Sequence, residues 1–396
     1  MSANRILTTH VGSLVRPDDL VGFLRKQEVG EAYDTHAFAA CLERSVADVV
    51  RQQAGAGIDI VSDGEFGKTI SWSRYILERM SGIEERFDHQ VSFTSSVAGK
   101  DRRDFKAFYD EYEAEKGFVG IGKSARKIGT WFVTGPMKYT GQAAIQRDIA
   151  ALKKAMAGQN LVNGFLPVVA PASVLPHRVD EHYKNEEEAL FAIADVLHEE
   201  YKAIVEAGLI CQIDDAFLAS AYDLMTPPGT IADFRKWAEL RVEAVNHAVR
   251  GLPEERTRYH LCWGSWNGPH TNDLPMKDFV DMMLRIKVGA YAIEMANPRH
   301  AHEWKVWEGV KLPAGRKLIP GVISHATNIV EHPELVAERI TRIATLVGQG
   351  NVIAGTDCGF AQGPFTRRVH PSIMWAKLSA LSEGARLASR ALWPGA

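Results

Sequence analysis

The chain has few cysteines and none of the long apolar runs that membrane proteins need. Four cysteines among 396 residues are too few for the disulfide framework of a small secreted protein. No charged segment followed by an apolar leader opens the chain, and no apolar run approaches the ~20 residues of a membrane-spanning helix. We therefore expect a reduced, cytoplasmic protein with no membrane partner.

A surplus of positive charge is also missing. Lys and Arg number 46 against 49 Asp and Glu, which gives a formal net charge of −3, and no long run of Lys or Arg appears. This distribution lacks the electrostatic footprint of a nucleic-acid-binding protein. With 46% hydrophobic and 24% charged residues, the composition is that of an ordinary globular protein, so we expect small-molecule partners. The sequence does not indicate an oligomeric state.

Short β-branched runs alternate with amphipathic helical stretches along the chain. The predicted strands are 6–13, 58–65, 164–171, 209–215, 257–262, 290–294, 317–323 and 351–357. The predicted helices include 35–54, 141–157, 186–207, 230–249, 275–286 and 333–347. This alternation, with polar residues at the strand ends, predicts an α/β fold of the (β/α)₈ TIM-barrel type. The glycine-rich first turn expected of a doubly wound dinucleotide-binding sheet is absent.

One stretch interrupts the alternation. Residues 84–128 are highly charged and aromatic with little regular periodicity, and the extended segment that begins at Gly129 does not fit an eight-strand count. We therefore predict a single barrel domain over 1–396 with an insertion after strand 2, at about 84–157.

The predicted strand ends carry a possible metal site. In a strand, His260 and Cys262 project from the same face, because alternate side chains share a face. Glu294 ends the next apolar run, and Cys358 follows a later one. One nitrogen, one carboxylate and two sulfurs suit tetrahedral Zn²⁺. The alternatives are a structural zinc or a buried strand pair without metal; the wide spacing of the four residues favours a catalytic zinc over a structural one.

Several further residues allow two interpretations each. Asp214 lies in an Asp-Asp pair after an apolar strand, where a like-charged neighbour can raise a pKa, or it lies in a solvated loop. Glu65 has the same ambiguity. His325 is either a general acid or a partner of a helix cap. His300 and His302 are interpreted as surface residues, because positions two apart on a helix do not share a face.

Aromatic residues could line a cleft for a flat donor, although aromatic side chains more often fill cores. The candidates are Trp72, Tyr75, Trp131, Trp263 and Trp266. Trp263 and Trp266 flank the proposed zinc strand, so we prefer them as pocket walls.

Taken together, the strand ends resemble the zinc-bearing catalytic barrel of the cobalamin-independent methionine synthase family. The matching stretches, in the family's order and over nearly the whole chain, are Thr8 to Ser13, Asp63-Gly64-Glu65, Ala170 to Leu175, Gln212 to Asp215, His260-Leu261-Cys262, Ile293-Glu294, His325 to Asn328 and Asp357-Cys358-Gly359. The chain looks like the short branch of that family, which has a single barrel.

The resemblance implies roles for these strand-end residues. The zinc ligands it implies are His260, Cys262, Glu294 and Cys358. It further implies that Ser13, Glu65 and Asp214 hold the amino-acid end of a thiol acceptor and that His325 handles a proton. Asp214 and His325 are our candidate catalytic residues.

Two departures from the family concern the methyl donor. Where the folate enzymes carry a tryptophan that stacks on the pterin, this chain has His177. The Glu-Pro that usually follows the acceptor-binding Asp is replaced by Asp215-Ala216. Both departures favour a donor other than folate, with His177 and Trp263 as candidate substrate-binding residues.

The donor set also bears on the reaction. Two thiolates and a carboxylate around Zn²⁺ sum formally to −1, which suits a thiolate carrier better than a Lewis acid for hydrolysis. We predict a zinc-dependent methyltransferase that moves a methyl group to the thiol of homocysteine or a similar acceptor through a zinc-bound thiolate. The alternative is a zinc-dependent thiol alkyltransferase or lyase of the epoxyalkane:coenzyme M type. The third reading is a non-enzymatic zinc- or thiol-binding barrel.

Overall fold

Parallel strands close almost completely into a barrel. The computed structural model describes residues 4–87, 99–116, 129–174, 176, 178–225, 229–264 and 267–395. The strands within them are β1 (Leu7–Thr8), β2 (Ile60–Val61), β3 (Met80–Arg86), β4 (Thr130–Tyr139), β5 (Asn163–Val169), β6 (Val179–Asp180), β7 (Ile210–Asp215), β8 (Thr257–Leu261), β9 (Ala290–Ile293), β10 (Lys317–Ile323) and β11 (Ile353–Thr356).

Eight of these strands form one parallel sheet in the order β1-β11-β10-β9-β8-β7-β5-β2. Its two ends meet, since the backbone N–H of Asp59 donates to the carbonyl of Thr8 at 3.1 Å and Thr9 Oγ1 donates to the carbonyl of Ile60 at 3.0 Å. Each predicted strand overlaps one of these eight. The predicted TIM barrel is confirmed.

Helices pack around the barrel. The α-helices are α1 (Asp18–Glu28), α2 (Thr35–Gly55), α3 (Lys100–Asp104), α4 (Lys106–Lys116), α5 (Gln142–Met156), α6 (Glu186–Glu206), α7 (Phe217–Leu224), α8 (Ile231–Ala248), α9 (Val280–Met283), α10 (Pro333–Val347) and α11 (Pro371–Leu392). The 3₁₀ helices are Arg74–Arg79, Pro171–Ser173, Glu254–Arg256, Met276–Asp278, Glu303–Glu308 and Gln349–Asn351. None of the helices in the described residues is long and apolar enough to cross a membrane.

Local sequence explains where several helices begin and end. The Asp34 carboxylate accepts two backbone N–H groups at the start of α2, and Thr230 and Asp233 form a reciprocal capping box at the start of α8. Gly208, at φ +83°, ends the turn after α6, because a residue without Cβ adopts this conformation at little cost. The apolar faces of these helices and of the barrel strands share one large core.

A second, three-stranded sheet is formed by β3 and β4, which lie between β2 and β5 in the chain, and by β6, which follows β5. Strands β3 and β4 pair antiparallel, and β4 pairs parallel with β6. Helices α3 and α4 connect to this sheet through residues outside the described ranges. The proposed insertion boundaries of 84–157 and the single-domain division stay predictions.

Helix α3 contacts helix α7, which follows β7, and the loop that follows β8. The buried Asp101 carboxylate accepts the backbone N–H of Thr271 at 2.8 Å and that of Asn272 at 3.1 Å. The backbone N–H of Asp101 donates to Asp223 Oδ1 at 3.0 Å, and Lys100 Nζ donates to the carbonyl of Tyr222. Hydrogen bonds therefore attach this short helix both to helix α7 and to the loop after β8.

Candidate metal centre and active site

Strand β8 and the residue after it place an imidazole and a thiol side by side. His260 is the last but one residue of β8, and Cys262 follows the strand with its backbone N–H bonded to the carbonyl of Asp215 at 3.0 Å. Both side chains project toward Cys358, two residues beyond β11. The ligand atoms of these three residues all lie within 4.8 Å of one another, and the two sulfurs are 3.9 Å apart.

Glu294 directly follows β9 and is buried next to this cluster. Its Oε2 accepts a hydrogen bond from Asn297 Nδ2 at 3.0 Å, whereas Oε1 has no hydrogen-bond partner among the described residues. The group within 4.8 Å does not include this carboxylate. The structure thus brings three of the four predicted ligands together and places the fourth beside them.

The four groups perturb each other's protonation. Burial lowers the pKa of His260, but the interaction with Cys358 outweighs it and raises this pKa to about 9. Contact with Cys262 holds the pKa of Cys358 well below its usual value, against the effect of burial. Burial and the neighbouring Cys358 raise the pKa of Cys262 well above the usual range. Without metal, these shifts favour a positively charged His260 beside a thiolate at Cys358 and a thiol at Cys262.

Several donor atoms of this cluster are not used by other groups among the described residues. Neither ring nitrogen of His260 has a hydrogen-bond partner of normal geometry within the described ranges. Buried polar atoms without partners are uncommon, and a metal ion would satisfy them. An imidazole nitrogen, two sulfurs and a carboxylate oxygen form a donor set that zinc prefers. The residues present therefore fit Zn²⁺.

A fully buried carboxylate ties two of the ligand loops together. Asp357, directly before Cys358, accepts the backbone N–H groups of residues 295–297 at 2.7–2.8 Å. Its Oδ2 also accepts from Asn297 Nδ2 at 3.2 Å, and the same amide donates to Glu294. Asp357 therefore fixes the loop of Glu294 relative to Cys358.

A cavity of ≈ 130 Å³ opens beside the cluster. Its lining includes His260 and both cysteines together with Ser13, Glu65, Asp214 and Trp72. Ser13 Oγ is buried and has no hydrogen-bond partner in the part of the chain that the structure describes. The three residues that the sequence resemblance assigned to an acceptor thus face the same space as the candidate metal ligands.

Asp214 is the last but one residue of β7, and its carboxyl group accepts a hydrogen bond from a neighbouring amide. Gln212 Nε2 donates to its Oδ1 at 2.7 Å, and Arg258 donates in turn to Gln212 Oε1 at 2.7 Å. Burial raises the pKa of Asp214 to about 7, although the charge of His260 opposes this rise. The carboxyl group is therefore close to half protonated near neutral pH.

Glu65 occupies a strained turn. Its φ is +62°, a left-handed conformation that few residues without a special cause adopt, and its backbone N–H donates to Asp63 Oδ1 at 2.9 Å. Lys68 Nζ donates to its Oε1 at 2.8 Å, and both side chains are buried. The turn aims the carboxylate at the cavity, and Lys68 supplies a counter-ion from the same turn.

Comparison with known proteins finds methionine synthases of similar length. No protein-family model matches the chain. A methionine synthase from Thermococcus kodakarensis is 23% identical over 399 residues, which cover 97% of this chain and 94% of that protein. A methionine synthase from Saccharolobus islandicus is 24% identical over 388 residues, with 96% and 94% covered. The B12-independent methionine synthase from Shewanella sp. W3-18-1, solved in complex with selenomethionine, matches with a TM-score of 0.70 at 20% identity and 98% and 99% coverage.

The chain is thus similar, over nearly its whole length, to methionine synthases and in fold to B12-independent methionine synthases. The family resemblance seen in the sequence is thereby confirmed. The resemblance also assigned roles to His325 and His177. His325, just after β10, is buried, and its charge acts on Glu294 and Cys358, but it is not among the cavity-lining residues. His177 lies outside the described residues.

The tryptophan that lines the cavity is not the one that the sequence analysis preferred. Trp263 is buried away from the cavity lining, stacks on His300 with ring centroids 4.2 Å apart, and donates from Nε1 to the carbonyl of Leu274. Trp72 lines the cavity. Trp266 lies outside the described residues.

Sequence reasoning also misread or missed some residues. The interpretation of His300 as a surface residue is wrong: it is buried, and its Nε2 lies 2.9 Å from Asp273 Oδ2. Lys68 and Asp357 were not singled out. The spacing of Lys68 three residues after Glu65, and the position of Asp357 directly before Cys358, were the only signals available.

Proposed function

We propose that this protein transfers a methyl group to the thiol of homocysteine or a similar acceptor, with Zn²⁺ held by His260, Cys262, Cys358 and Glu294. One observation carries the proposal: three unshared donor side chains converge on the same cavity as Ser13, Glu65 and Asp214. The names of the curated relatives, methionine synthases, support the same reaction.

The charge of the proposed ligands suits thiol transfer. Two thiolates and one carboxylate exceed the charge of Zn²⁺ by one, so a bound sulfur stays electron-rich. Zinc held there would lower the pKa of the acceptor thiol so that it is deprotonated near neutral pH. The chain itself provides burial, which excludes water from the reacting atoms, and His325, which we propose handles the proton at this end of the barrel.

The remaining cavity residues would hold the acceptor's amino-acid end. Ser13 Oγ, which has no hydrogen-bond partner among the residues that the structure describes, can donate to the acceptor carboxylate. Asp214, whose pKa of about 7 leaves it partly protonated, would become fully charged beside an ammonium group, because an opposite charge favours the ionised form. We assign His177 to the donor side, as the departure from the family's tryptophan suggests.

A second candidate, alkylation of a thiol such as coenzyme M by an epoxide, is favoured by the state of Asp215. Its Oδ1 accepts hydrogen bonds from Ser173 Oγ and from the backbone N–H groups of Phe217 and Leu218, at 2.9–3.0 Å. Its Oδ2 accepts from Tyr259 Oη at 2.9 Å. This carboxylate lines the cavity, but its oxygens already accept four hydrogen bonds within the chain, which leaves less capacity to bind a pterin and supports a donor other than folate.

The first prediction tests the metal and the reaction together. Cys262→Ser and Cys358→Ser should each lose most of the bound zinc and the methyl transfer to homocysteine, because a serine hydroxyl is a far weaker zinc ligand than a thiolate. Metal analysis of the purified protein and methionine formation are the measurements. Circular dichroism should show that the barrel remains folded.

Cys41→Ser is the matched control. Its thiol donates to Asp19 Oδ2 at 3.4 Å, so the variant should keep both zinc and activity. Stoichiometric zinc in both of the other serine variants would refute the assignment of the metal site. Assays with methyltetrahydrofolate and with a short epoxide, each against homocysteine and coenzyme M, separate the two candidates: methionine supports the first, and a hydroxyalkyl thioether supports the second. Zinc binding without any product would leave a non-enzymatic barrel.

A further inference from the structure

The two carboxylates that face the cavity have different electrostatic surroundings. Glu65 pairs directly with Lys68 at 2.8 Å, and the exposed fractions of the two side chains are only 2% and 8%. Asp214 accepts its hydrogen bond from the neutral amide of Gln212 at 2.7 Å. The guanidinium of Arg258 gives its hydrogen bonds to Gln212, Thr9 and the carbonyl of His10, not to Asp214. Of these two carboxylates, only Glu65 therefore has a directly bonded counter-ion among the described residues.

Lys68 is held in place by more than Glu65. Its Nζ lies 3.4 Å from the carbonyl oxygen of Trp72 and 4.3 Å from the centroid of the Tyr75 ring. Tyr75 is itself fixed, because its hydroxyl donates to the buried Glu200 at 2.9 Å. A cation over an aromatic face in a desolvated site is attracted to the ring. Lys68 is thus a fixed internal cation.

A second cation stabilises the same turn. Arg16 donates from Nη2 to the backbone carbonyls of both Glu65 and Lys68, and it is buried. Its charge adds to that of Lys68 around the Glu65 carboxylate. The buried Asp63 carboxyl interacts with the same groups, so the turn holds two carboxyl groups and two cations before any ligand enters.

We propose that Lys68 is a specificity-determining residue that neutralises Glu65, so that the acceptor's ammonium group is recognised through Asp214 alone. Compared with a site in which both carboxylates bind the ammonium group, this site should show a smaller preference for amino-acid thiols over thiols of the same length without an amino group. This inference rests on the proposed function, because it assumes that a thiol occupies the cavity. It differs from the family assignment, in which Glu65 and Asp214 together bind the amino-acid end.

The test compares two thiols that differ only in the amino group, homocysteine and 4-mercaptobutanoate. Calorimetric titration of the zinc-loaded protein gives the ratio of their dissociation constants without depending on a methyl donor. In Lys68→Met, Glu65 is left without its counter-ion, and the substrate ammonium would supply it. The ratio should then shift toward homocysteine by about 30-fold or more, the usual effect of completing a buried charge pair. Lys68→Arg keeps the charge and should keep the wild-type ratio.

Two further variants complete a double-mutant cycle. Glu65→Gln leaves Lys68 uncompensated, so the ratio should shift away from homocysteine. In the double variant Lys68→Met/Glu65→Gln, two uncharged side chains replace an ion pair of zero net charge. The ratio of the two dissociation constants should therefore return to the wild-type value. If Glu65 instead binds the ammonium directly and Lys68 only supports the fold, Lys68→Met leaves the ratio unchanged and the double variant loses the preference for homocysteine. That pattern would overturn the proposal.

Lys377→Met is the control for losing a buried lysine. Lys377 is fully buried and donates to Glu331 Oε2 at 2.8 Å, but it does not line the cavity. Its loss should lower stability and leave the ratio of the two thiols unchanged. If neither thiol binds to the zinc-loaded wild type, the proposed function fails; if both bind and only the cycle disagrees, this inference alone fails.

Discussion

Asp357 is a buried side chain outside the candidate ligand set that fixes the geometry of the candidate metal site. It accepts four hydrogen bonds from the segment 295–297, at 2.7–3.2 Å, and is itself fully buried. Through Asn297 it also fixes one oxygen of Glu294. Such supporting carboxylates orient metal ligands, and their loss typically reduces metal affinity.

Asp357→Asn should therefore weaken zinc binding by about 10–100-fold. The variant keeps one acceptor oxygen but turns an amide N–H₂ toward the N–H groups of Asn297, so the Glu294 loop loses its anchor. Competition with a chelator of known affinity measures the change.

The surface substitution Asp281→Asn serves as the control for this prediction. Asp281 pairs with Arg235 on the outside of the barrel, so its loss should leave zinc affinity unchanged. A folded Asp357→Asn protein that binds zinc as tightly as wild type would show that Asp357 does not hold the ligand loop.

At the scale of residues, the sequence predicts those site residues whose relative positions follow from strand geometry alone. His260 and Cys262 could be paired because alternate residues of a strand share a face. Lys68 could not be found in this way, since its role depends on a left-handed turn at Glu65. His300 was misread because its partner, Asp273, lies 27 residues away in the chain.

At the scale of elements, the eight barrel strands were predictable because each is a short apolar run bounded by turn residues and followed by polar side chains. Helix α11 (Pro371–Leu392) and helix α7 (Phe217–Leu224) were not predicted. The predicted helix 275–286 is only a 3₁₀ turn followed by the four residues of α9. Short helices after strands depend on tertiary packing, which periodicity does not report.

Helix α3 offers a test of how the chain between β2 and β5 is attached to the barrel. Asp101→Ala removes the acceptor for the backbone N–H groups of Thr271 and Asn272 and leaves them unsatisfied. We expect faster hydrogen exchange and protease cleavage in residues 99–116, with a loss of about 1–3 kcal/mol of local stability. The barrel strands should exchange as slowly as in wild type.

The substitution Asp110→Ala, in helix α4, is matched to this test. Its carboxylate pairs with Lys106 at the surface, where an ion pair contributes little. Equal exchange in the two variants would mean that Asp101 does not anchor the helix.

At the scale of the whole molecule, the barrel joins residues that lie far apart in sequence. Ser13, Glu65 and Asp214 come from the ends of β1, β2 and β7, whereas the candidate zinc ligands lie at the ends of β8, β9 and β11. A parallel barrel brings the carboxyl ends of all its strands to one face, so the site follows from the closure of the sheet. The core that closes the sheet is a large apolar cluster between strands and helices, which does not include the candidate metal ligands.

Zinc should therefore stabilise the barrel without being required for its folding. Because an ion held by residues 260, 262, 294 and 358 binds the native state only, free zinc at a thousand times its dissociation constant adds about 4 kcal/mol to the free energy of unfolding. For a chain of this size that corresponds to about 5 °C in Tm. Removing zinc with a chelator should lower the Tm by this order while far-ultraviolet circular dichroism stays native, and Cys262→Ser should show no chelator effect. A chelated protein that unfolds at room temperature would contradict the independence of the core, and a wild-type Tm unaffected by chelation would contradict the cross-linking of these strand ends by zinc.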